Sequence, residues 1–174
     1  MDLQYDEFGR EVMRLFDLNG VKQQLVQRYN TVDNLVQRTL SALDVMGDVI
    51  EVLRDEAYEY DARARLTKYT CSGSQKPIDP YGNAIDQQLF RFDALDNIIR
   101  VRTDFGDESN TAVYHYDGAD PVQLTSVTNN HASVDPLIIE LEYDLNGNLI
   151  LDERGRALVY DDLNRLTSVS DTAH

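Results

Sequence analysis

The sequence predicts an all-β protein, a twisted and largely antiparallel sheet built from tandem hairpins. Three observations predict it. A short phrase recurs along the chain, each copy places a turn-forming residue at one position, and apolar and polar residues alternate beside the copies. The stretch 141–169, LEYDLNGNLILDERGRALVYDDLNRLTSV, contains the phrase twice. We expect roughly ten to fourteen strands of about 5–6 residues each.

The phrase is an aromatic residue, an Asp, two variable residues, a Gly or Asn, an Arg or Asn, and an aliphatic residue. Nine copies of varying fidelity begin at Tyr5, Phe16, Tyr29, Leu43, Tyr60, Phe92, Tyr116, Tyr143 and Tyr160. The seventh copy, YDGADPVQLT, carries an insertion. The uneven spacing argues against a solenoid of identical coils and favours hairpins with loops of different length.

The Asp of each phrase is typical of a turn. Asp at the first position of a type I turn can bond its own backbone two residues on, and the residue three positions later often needs a positive φ. The eight uninterrupted copies place there Gly9, Gly20, Asp33, Gly47, Ala64, Asp96, Gly147 and Asn164. Glycine adopts a positive φ without strain, and only Ala64 is an unfavourable residue type. The phrase therefore predicts a three-residue hairpin loop closed by a bulge.

This loop also predicts which residues face each other across the hairpin. The Asp should face the residue four positions later, as in Asp6 with Arg10, Asp61 with Arg65, Asp93 with Asn97, Asp144 with Asn148 and Asp161 with Arg165. One step outward, an aromatic residue should face an aliphatic one: Tyr60 with Leu66, Phe92 with Ile98, Tyr143 with Leu149 and Tyr160 with Leu166. Such pairs contribute roughly 0.2–1 kcal/mol each.

The flanks of the copies predict strands. Ile139, Leu141 and Tyr143 alternate with acidic residues, which indicates a sheet with one buried face. Between Leu25 and Leu43 the apolar residues also fit helical spacing, but the turn phrases interrupt any helix and favour strand. We predict one repeat domain over 1–174, with an ordered surface loop or covering flap at 70–88, where Ser, Gly and Pro are frequent.

Composition excludes several function classes. The net charge of −15 disfavours nucleic acid and membrane surfaces as partners, because both are anionic. The opening MDLQYDEFGR lacks a secretion signal, and no apolar run approaches the roughly 18 residues typical of a spanning helix. One cysteine, Cys71, excludes an internal disulfide.

No residue pattern predicts a catalytic, cofactor or metal site. Two carboxylates would suffice for a glycosidase, but nine equivalent turn positions cannot all form one catalytic pair. The run DLNGN at 144–148 resembles a calcium loop, yet Leu149 stands where that loop needs Gly, so a turn is favoured. Cys71, in a predicted loop, has no motif linking it to His115 or His131 as nucleophile and base. Ten tyrosines could stack on sugars, but at hairpin positions they more plausibly fill the buried face.

The phrases YDEFGREV, YDARARLT and YDDLNRLT resemble the RHS or YD repeat, over essentially the entire chain. The order of FRFDALDNIIRV, YHYDGADPVQLTSVTNNH and the last two copies is similar to the repeat region of the C component of bacterial insecticidal toxin complexes. In that family the repeats form a sheet that spirals into a hollow shell and, with the B component, encloses an unfolded toxic segment.

The resemblance implies a non-enzymatic shell segment that needs no cofactor. Its implied partners are the rest of the shell, a B-component-like protein and the enclosed toxin polypeptide, within a toxin complex made in the bacterial cytoplasm and secreted. An adhesion or carbohydrate-binding module of the same repeat type is the alternative. Open sheet edges would also permit a homo-oligomer.

Two departures from the family matter. Family members are far longer and carry a DPxG-type motif and an aspartyl self-cleavage site after the repeats. The string Asp79-Pro80-Tyr81-Gly82 resembles that motif but lies between repeats, so no protease role is transferred to Asp79. The chain is expected to be either an excised piece of a shell, which its beginning at a repeat strand favours, or a short stand-alone relative.

Overall fold

A computed structural model describes residues 2–130 and 138–170, and in them every regular element is a β-strand. The strands are β1 (Asp2–Tyr5), β2 (Glu11–Leu18), β3 (Val21–Tyr29), β4 (Leu35–Leu43), β5 (Val49–Tyr60), β6 (Leu66–Ser72), β7 (Gln87–Phe92), β8 (Ile98–Phe105), β9 (Glu108–His115), β10 (Ser126–Asn129), β11 (Ile138–Glu140), β12 (Glu142–Tyr143), β13 (Leu149–Leu151), β14 (Ala157–Tyr160) and β15 (Leu166–Ser170).

The strands follow one another in chain order as hydrogen-bonded neighbours. β1 to β11 form an eleven-stranded sheet and β12 to β15 a four-stranded sheet. Every strand pair whose register is defined is antiparallel, as consecutive hairpins require. The all-β, largely antiparallel prediction is confirmed. Among the described residues no helix is long and apolar enough to cross a membrane.

The chain divides into two compact units. The first unit comprises Met1–Phe90 with Arg102–Ser109, and the second comprises Arg91–Val101 with Asn110–His174. In the first unit the densest pairing joins β3, β4 and β5. In the second unit β10 pairs with both β9 and β11, and β14 pairs with β15.

The first unit has a small core on one face of its sheet. Tyr69, Cys71 and Ile85 are buried there, and Tyr58, Leu66 and Phe90 pack against them. The Tyr58 and Tyr69 rings lie 5.5 Å apart across β5 and β6. The loop placement predicted for Cys71 is wrong, because Cys71 is the penultimate residue of β6 and faces this core.

The long connection at 70–88 is an ordered cover for that core. Its first residues extend β6, and its middle forms a small bridge between Ile78 and Ala84. Cys71 N–H donates to the Asp86 carbonyl at 2.8 Å, so the two ends of the connection are tied together. Ile85 is 7% exposed, which places this apolar side chain inside the core.

Backbone packing fixes the start of this connection. Gly73 has a φ of 109°, and a Cβ built there would meet the Leu53 carbonyl oxygen at 2.5 Å. Gln75 N–H donates to the same carbonyl at 2.7 Å. The connection therefore runs directly against β5, where a side chain on residue 73 could not fit.

One further detail of the predicted fold is confirmed and two differ. Residues 25–43 are strands β3 and β4, so the favoured strand interpretation is confirmed there. Fifteen strands are described rather than ten to fourteen. The predicted continuous strand around Leu141 is interrupted at that residue, where Leu141 N–H donates to the Thr125 carbonyl.

Candidate functional site: the aspartate turns

Nine turns in the described residues share one hydrogen-bond pattern. They begin at Asp6, Asn30, Asp44, Asp61, Asp79, Asp93, Asp144, Asp152 and Asp161. In each, the first residue donates its N–H to the carbonyl four residues on, and the fourth residue donates its N–H back to the first carbonyl. The first side chain accepts the N–H groups of the third and fifth residues through one oxygen. The predicted bulged hairpin loop is thus present, with the side chain of Asp, or of Asn30 in one turn, as its organising acceptor.

The second carboxylate oxygen binds the side chain four residues later. In the turn at Asp61, Oδ2 accepts the Arg65 Nε–H at 2.7 Å. Equivalent bonds run from Arg10 to Asp6, Arg156 to Asp152, Arg165 to Asp161, Asn83 to Asp79, Asn97 to Asp93 and Asn148 to Asp144. The five Asp pairs predicted across the hairpins are confirmed. Both oxygens of these carboxylates are therefore engaged inside their own turn.

These bonds hold the carboxylates in the charged form. The Arg65 side chain, followed by the backbone of the turn, lowers the pKa of Asp61, and Arg165 does the same for Asp161. Asn148 lowers the pKa of Asp144 without any charge of its own. A carboxylate held in this form has no proton to donate near neutral pH, so it is unsuited to act as a general acid.

The residue at the fourth position takes a positive φ even where it is not glycine. Ala64 has a φ of 60°, Asp96 of 71° and Asn164 of 59°. The hydrogen bonds common to all these turns therefore impose the positive φ, even on residue types that disfavour it.

Two of the nine predicted copies turn differently. The copy at Phe16 was predicted to form the three-residue loop with Gly20 as its bulge residue, and this is wrong. Leu18 pairs with Val21, so Asn19 and Gly20 form a two-residue loop, and both have positive φ, as in a type I′ turn. In the copy at Tyr116 the turn begins at Asp120, whose carboxylate accepts the Val122 N–H.

Two turns of the same kind, at Asp79 and Asp152, were not predicted from the sequence. Both have Gly at the fourth position, Gly82 and Gly155, but an aliphatic residue in place of the aromatic one. The strings Asp-x-x-Gly-Asn and Asp-x-x-Gly-Arg were the available signal. The string around Asp79 is therefore a hairpin turn of the repeat type.

In three copies of the phrase the tyrosine connects one turn to the previous turn on the same end. In the first unit, Tyr29 donates its hydroxyl to the Glu11 carbonyl at 3.1 Å and Tyr60 donates to the Leu35 carbonyl at 2.7 Å. In the second unit Tyr116 donates to the Ile98 carbonyl at 2.9 Å. In each case the acceptor is the first strand residue after the preceding turn on the same end of the strands. We call these three bonds the tyrosine latches.

Side chains at the fifth turn position reach forward to the next turn on the same end. In the first unit Arg10 forms an ion pair with Asp33 of the following turn. In the second unit Asn97 donates to the Pro121 carbonyl at 2.8 Å, and Asn148 donates to Oδ1 of Asn164 at 2.9 Å. Together with the latches, these contacts give the residues of the phrase a role in holding neighbouring hairpins in place.

The other chemical candidates are not brought together. Cys71 is buried, and burial raises the pKa of its thiol, which disfavours the reactive thiolate. His115 contacts Thr128 through Nε2, and His131 lies outside the described residues. No group of three or more metal-ligating side chains occurs within 2–130 and 138–170. Of the ten tyrosines only Tyr5 and Tyr81 are exposed, which leaves few rings for a sugar to stack on.

One polar cluster was not predicted. The Glu56 side chain, 4% exposed, accepts two bonds from Arg38, at 2.6 and 3.0 Å, and one from the Tyr69 hydroxyl at 2.8 Å. Burial would raise the pKa of Glu56, but the bonds from Arg38 and Tyr69 outweigh it and lower the pKa. Burial also raises the pKa of Tyr58 to about 12. These side chains sit on three successive strands, and sequence spacing alone gives no sign of their meeting.

Comparison with known proteins establishes the fold. No family model matches the sequence, and no curated protein matches it significantly. The crystal structure of TcdB2-TccC3-TEV is 14% identical, with a TM-score of 0.63, over 97% of this chain and 10% of that chain. A Photorhabdus luminescens Tc holotoxin pore with a point mutation in TccC3 is 13% identical, with a TM-score of 0.64 and the same coverage of both chains.

The chain thus spans about a tenth of the length of these structures. At such low identity the likeness concerns the fold: the chain folds like a segment of toxin-complex structures. The resemblance to the toxin-complex repeat region, stated from the phrases, is confirmed at this level.

Proposed function

We propose that this chain is a non-enzymatic structural segment of a toxin-encapsulating shell. The observation that supports this most directly is the match to Tc structures, which extends over 97% of the chain. Because nearly the whole chain matches these structures, we infer that it contributes strands to the shell and is not a separate domain inserted into it. We therefore treat 1–174, including the loop at 70–88, as one repeat domain of such a shell.

The chemistry of the turns supports a structural role. Eight of the nine turns begin with Asp, and in seven of these one carboxylate oxygen accepts backbone N–H groups and the other binds the side chain at the fifth position. The latches then use the tyrosine hydroxyls on backbone carbonyls. The recurring polar groups of the phrase are thus engaged in fixing hairpins. No catalytic, cofactor or metal residue is assigned in this proposal.

The proposed partners follow from the shell role. They are the remaining repeats of the shell, a B-component-like protein and an enclosed toxin polypeptide, in a secreted toxin complex that contributes to virulence. β1 and β15 are terminal strands of their sheets, so each has an edge to which a strand of a neighbouring repeat could pair.

A segment exchange tests the proposal. The segment of TcdB2-TccC3 that this chain matches is replaced by residues 1–174, and the purified protein is treated with protease. We expect a closed particle in electron micrographs and protection of the enclosed polypeptide, as with the parent protein. A folded hybrid that leaves this polypeptide open to protease would contradict the shell role.

Two further measurements address the other function classes. Specific binding on a glycan array would favour an adhesion or carbohydrate-binding module. Glycoside hydrolysis that disappears in Asp152→Asn, a change that keeps the side-chain shape, would favour an enzyme. Neither signal is expected.

A further inference from the structure

The first unit has a cavity that the aspartate turns and latches do not use. It lies on the face of β4, β5, β6 and β7 beneath the 70–88 connection and has a volume of about 310 Å³. Its apolar lining consists of Leu66, Pro77, Ile85 and Phe90. Ligand cavities span roughly 300–1,000 Å³, so this one suits a fragment-sized group.

Charged groups line the same cavity. Arg38 and Arg54 contribute two positive charges and Glu56 one negative charge, which leaves a net charge of +1 in a chain of net charge −15. Cross-strand register places these residues on one face, since Arg38 is opposite Glu56 and Arg54 precedes Glu56 by two residues. The cavity therefore favours an anion where the chain as a whole repels one.

The two arginines differ in how many of their N–H groups already donate a hydrogen bond. Arg38 donates from Nε and Nη2 to the buried carboxylate of Glu56. Arg54 donates only its Nε–H, to the Gln75 carbonyl at 3.0 Å. Within the described residues both terminal nitrogens of Arg54 lack an acceptor, so the planar edge of its guanidinium is available. Such an edge matches a carboxylate in geometry as well as in charge.

We propose that this cavity binds a carboxylate carried beside an apolar group. The carboxylate accepts from the terminal nitrogens of Arg54, and the apolar group packs on Phe90, Ile85 and Pro77. Two sources present this chemistry: the C-terminal residue of a polypeptide and a small organic acid. This inference stands on the cavity alone and does not depend on the proposed shell role.

Titration of the 174-residue chain with 3-phenylpropionate tests the proposal by NMR chemical shifts or calorimetry. We expect saturable binding with a dissociation constant on the order of 1 mM, given the small size of the probe. Arg54→Gln should weaken binding about tenfold, because a charge-assisted hydrogen bond is lost. The matched control is Arg28→Gln, which removes the same charge from an exposed side chain outside the cavity and should leave binding unchanged.

The probe can be altered as well as the protein. 3-Phenylpropionamide, which lacks the charge, and propionate, which lacks the ring, should each bind at least tenfold more weakly to the unaltered chain. This comparison remains decisive if Arg54→Gln fails to fold. Absence of saturable binding, equal losses in both arginine variants, or amide binding as tight as that of the acid would each overturn the proposal.

A second acid identifies the source. Tighter binding of N-acetylphenylalanine than of 3-phenylpropionate supports the site and indicates a polypeptide C-terminus. Equal binding of the two supports the site and indicates a small acid. In both cases added salt should weaken binding, since it screens the Arg54 charge.

Discussion

The hydroxyl of Tyr60 lies 2.7 Å from the carbonyl oxygen of Leu35, 25 residues earlier in the chain. Leu35 is the first residue of β4, directly after the turn at Asn30, and it pairs with Tyr29. This latch thus joins the residue before the turn at Asp61 to the residue after the turn at Asn30, the preceding turn at the same end of the strands. A phenylalanine at position 60 would lack the hydroxyl that makes this bond.

Removing this hydroxyl should lower stability. Tyr60→Phe leaves the Leu35 carbonyl without its donor and should reduce the free energy of unfolding by about 1 kcal/mol, measured by urea denaturation. Tyr5→Phe is the control, because Tyr5 is exposed and its hydroxyl makes no hydrogen bond among the described residues. Equal stability of the two variants would show that the latch contributes nothing.

Gly147→Val should destabilise the chain by backbone strain. Gly147 has a φ of 84°. A Cβ added to it would lie 3.8 Å from Gln123 Nε2, the nearest atom. Space is therefore sufficient, and the expected loss of about 1–2 kcal/mol arises from forcing a β-branched residue into the left-handed region. Gly147→Asn should lose less, because Asn tolerates this region. Denaturation curves in which Val and Asn behave alike would contradict the strain argument.

Ala64→Gly should be neutral or stabilising. Ala64 has a φ of 60°, and relief of that strain, roughly 1–2 kcal/mol, should match or exceed the roughly 0.5–1 kcal/mol entropy cost of glycine. Ala62→Gly, in the same turn but without positive φ, should lower stability by about 0.5 kcal/mol. The melting temperatures of the two variants should therefore move in opposite directions or differ clearly. A loss for Ala64→Gly as large as that for Ala62→Gly would be inconsistent with the turn geometry.

Stability should fall in acid. The folded pKa values of Asp61, Asp144 and Asp161 lie below their ordinary values, so the unfolded chain binds protons first as pH decreases. Their contribution is present above the unfolded pKa of about 3.9 and is lost as pH falls through the lower folded values. Urea denaturation from pH 7 to pH 2 should show a plateau and then a decline below about pH 4. Asp61→Asn should have a shallower decline, and an unchanged slope would rule out this turn as a contributor.

Open strand edges should make the isolated chain associate. Every residue of β1 and of β15 is exposed. Because copies of net charge −15 repel one another, association should strengthen as salt screens the repulsion. Light scattering across protein and salt concentrations should show masses above 19.9 kDa. A mass of one chain throughout would argue for edges that do not pair.

Local chemistry made the turns predictable. An Asp and a positive-φ residue three positions later interact within one turn, so each copy can be recognised without knowledge of the rest of the chain. The turns at Asp79 and Asp152 were not predicted, because Ile78 and Leu151 stand where the phrase has an aromatic residue, which the turn itself does not need. The Asn19-Gly20 turn was misassigned because its Asp-x-x-Gly spacing is also compatible with a two-residue loop.

Contacts between distant strands were not predictable in the same way. Arg38, Glu56 and Tyr69 meet because bulges in β5 and β6 set the register, and a slip of one residue would turn each side chain to the other face. The position of Cys71 in the core depends on the same register. The Ser, Gly and Pro content of 70–88 predicted a loop or covering flap, but not that Pro77 and Ile85 would line a cavity together with Arg54.

The latches also bear on how the chain acquires its structure during synthesis. In all three, the acceptor carbonyl precedes the donor hydroxyl, by 18 residues for Tyr29, 25 for Tyr60 and 18 for Tyr116. Each tyrosine thus emerges from the ribosome after the backbone it will bind, and each new hairpin can be fixed on those already made. We expect nascent chains arrested beyond Tyr60 to gain protease resistance stepwise, in contrast to a sheet that closes only when its last strand arrives.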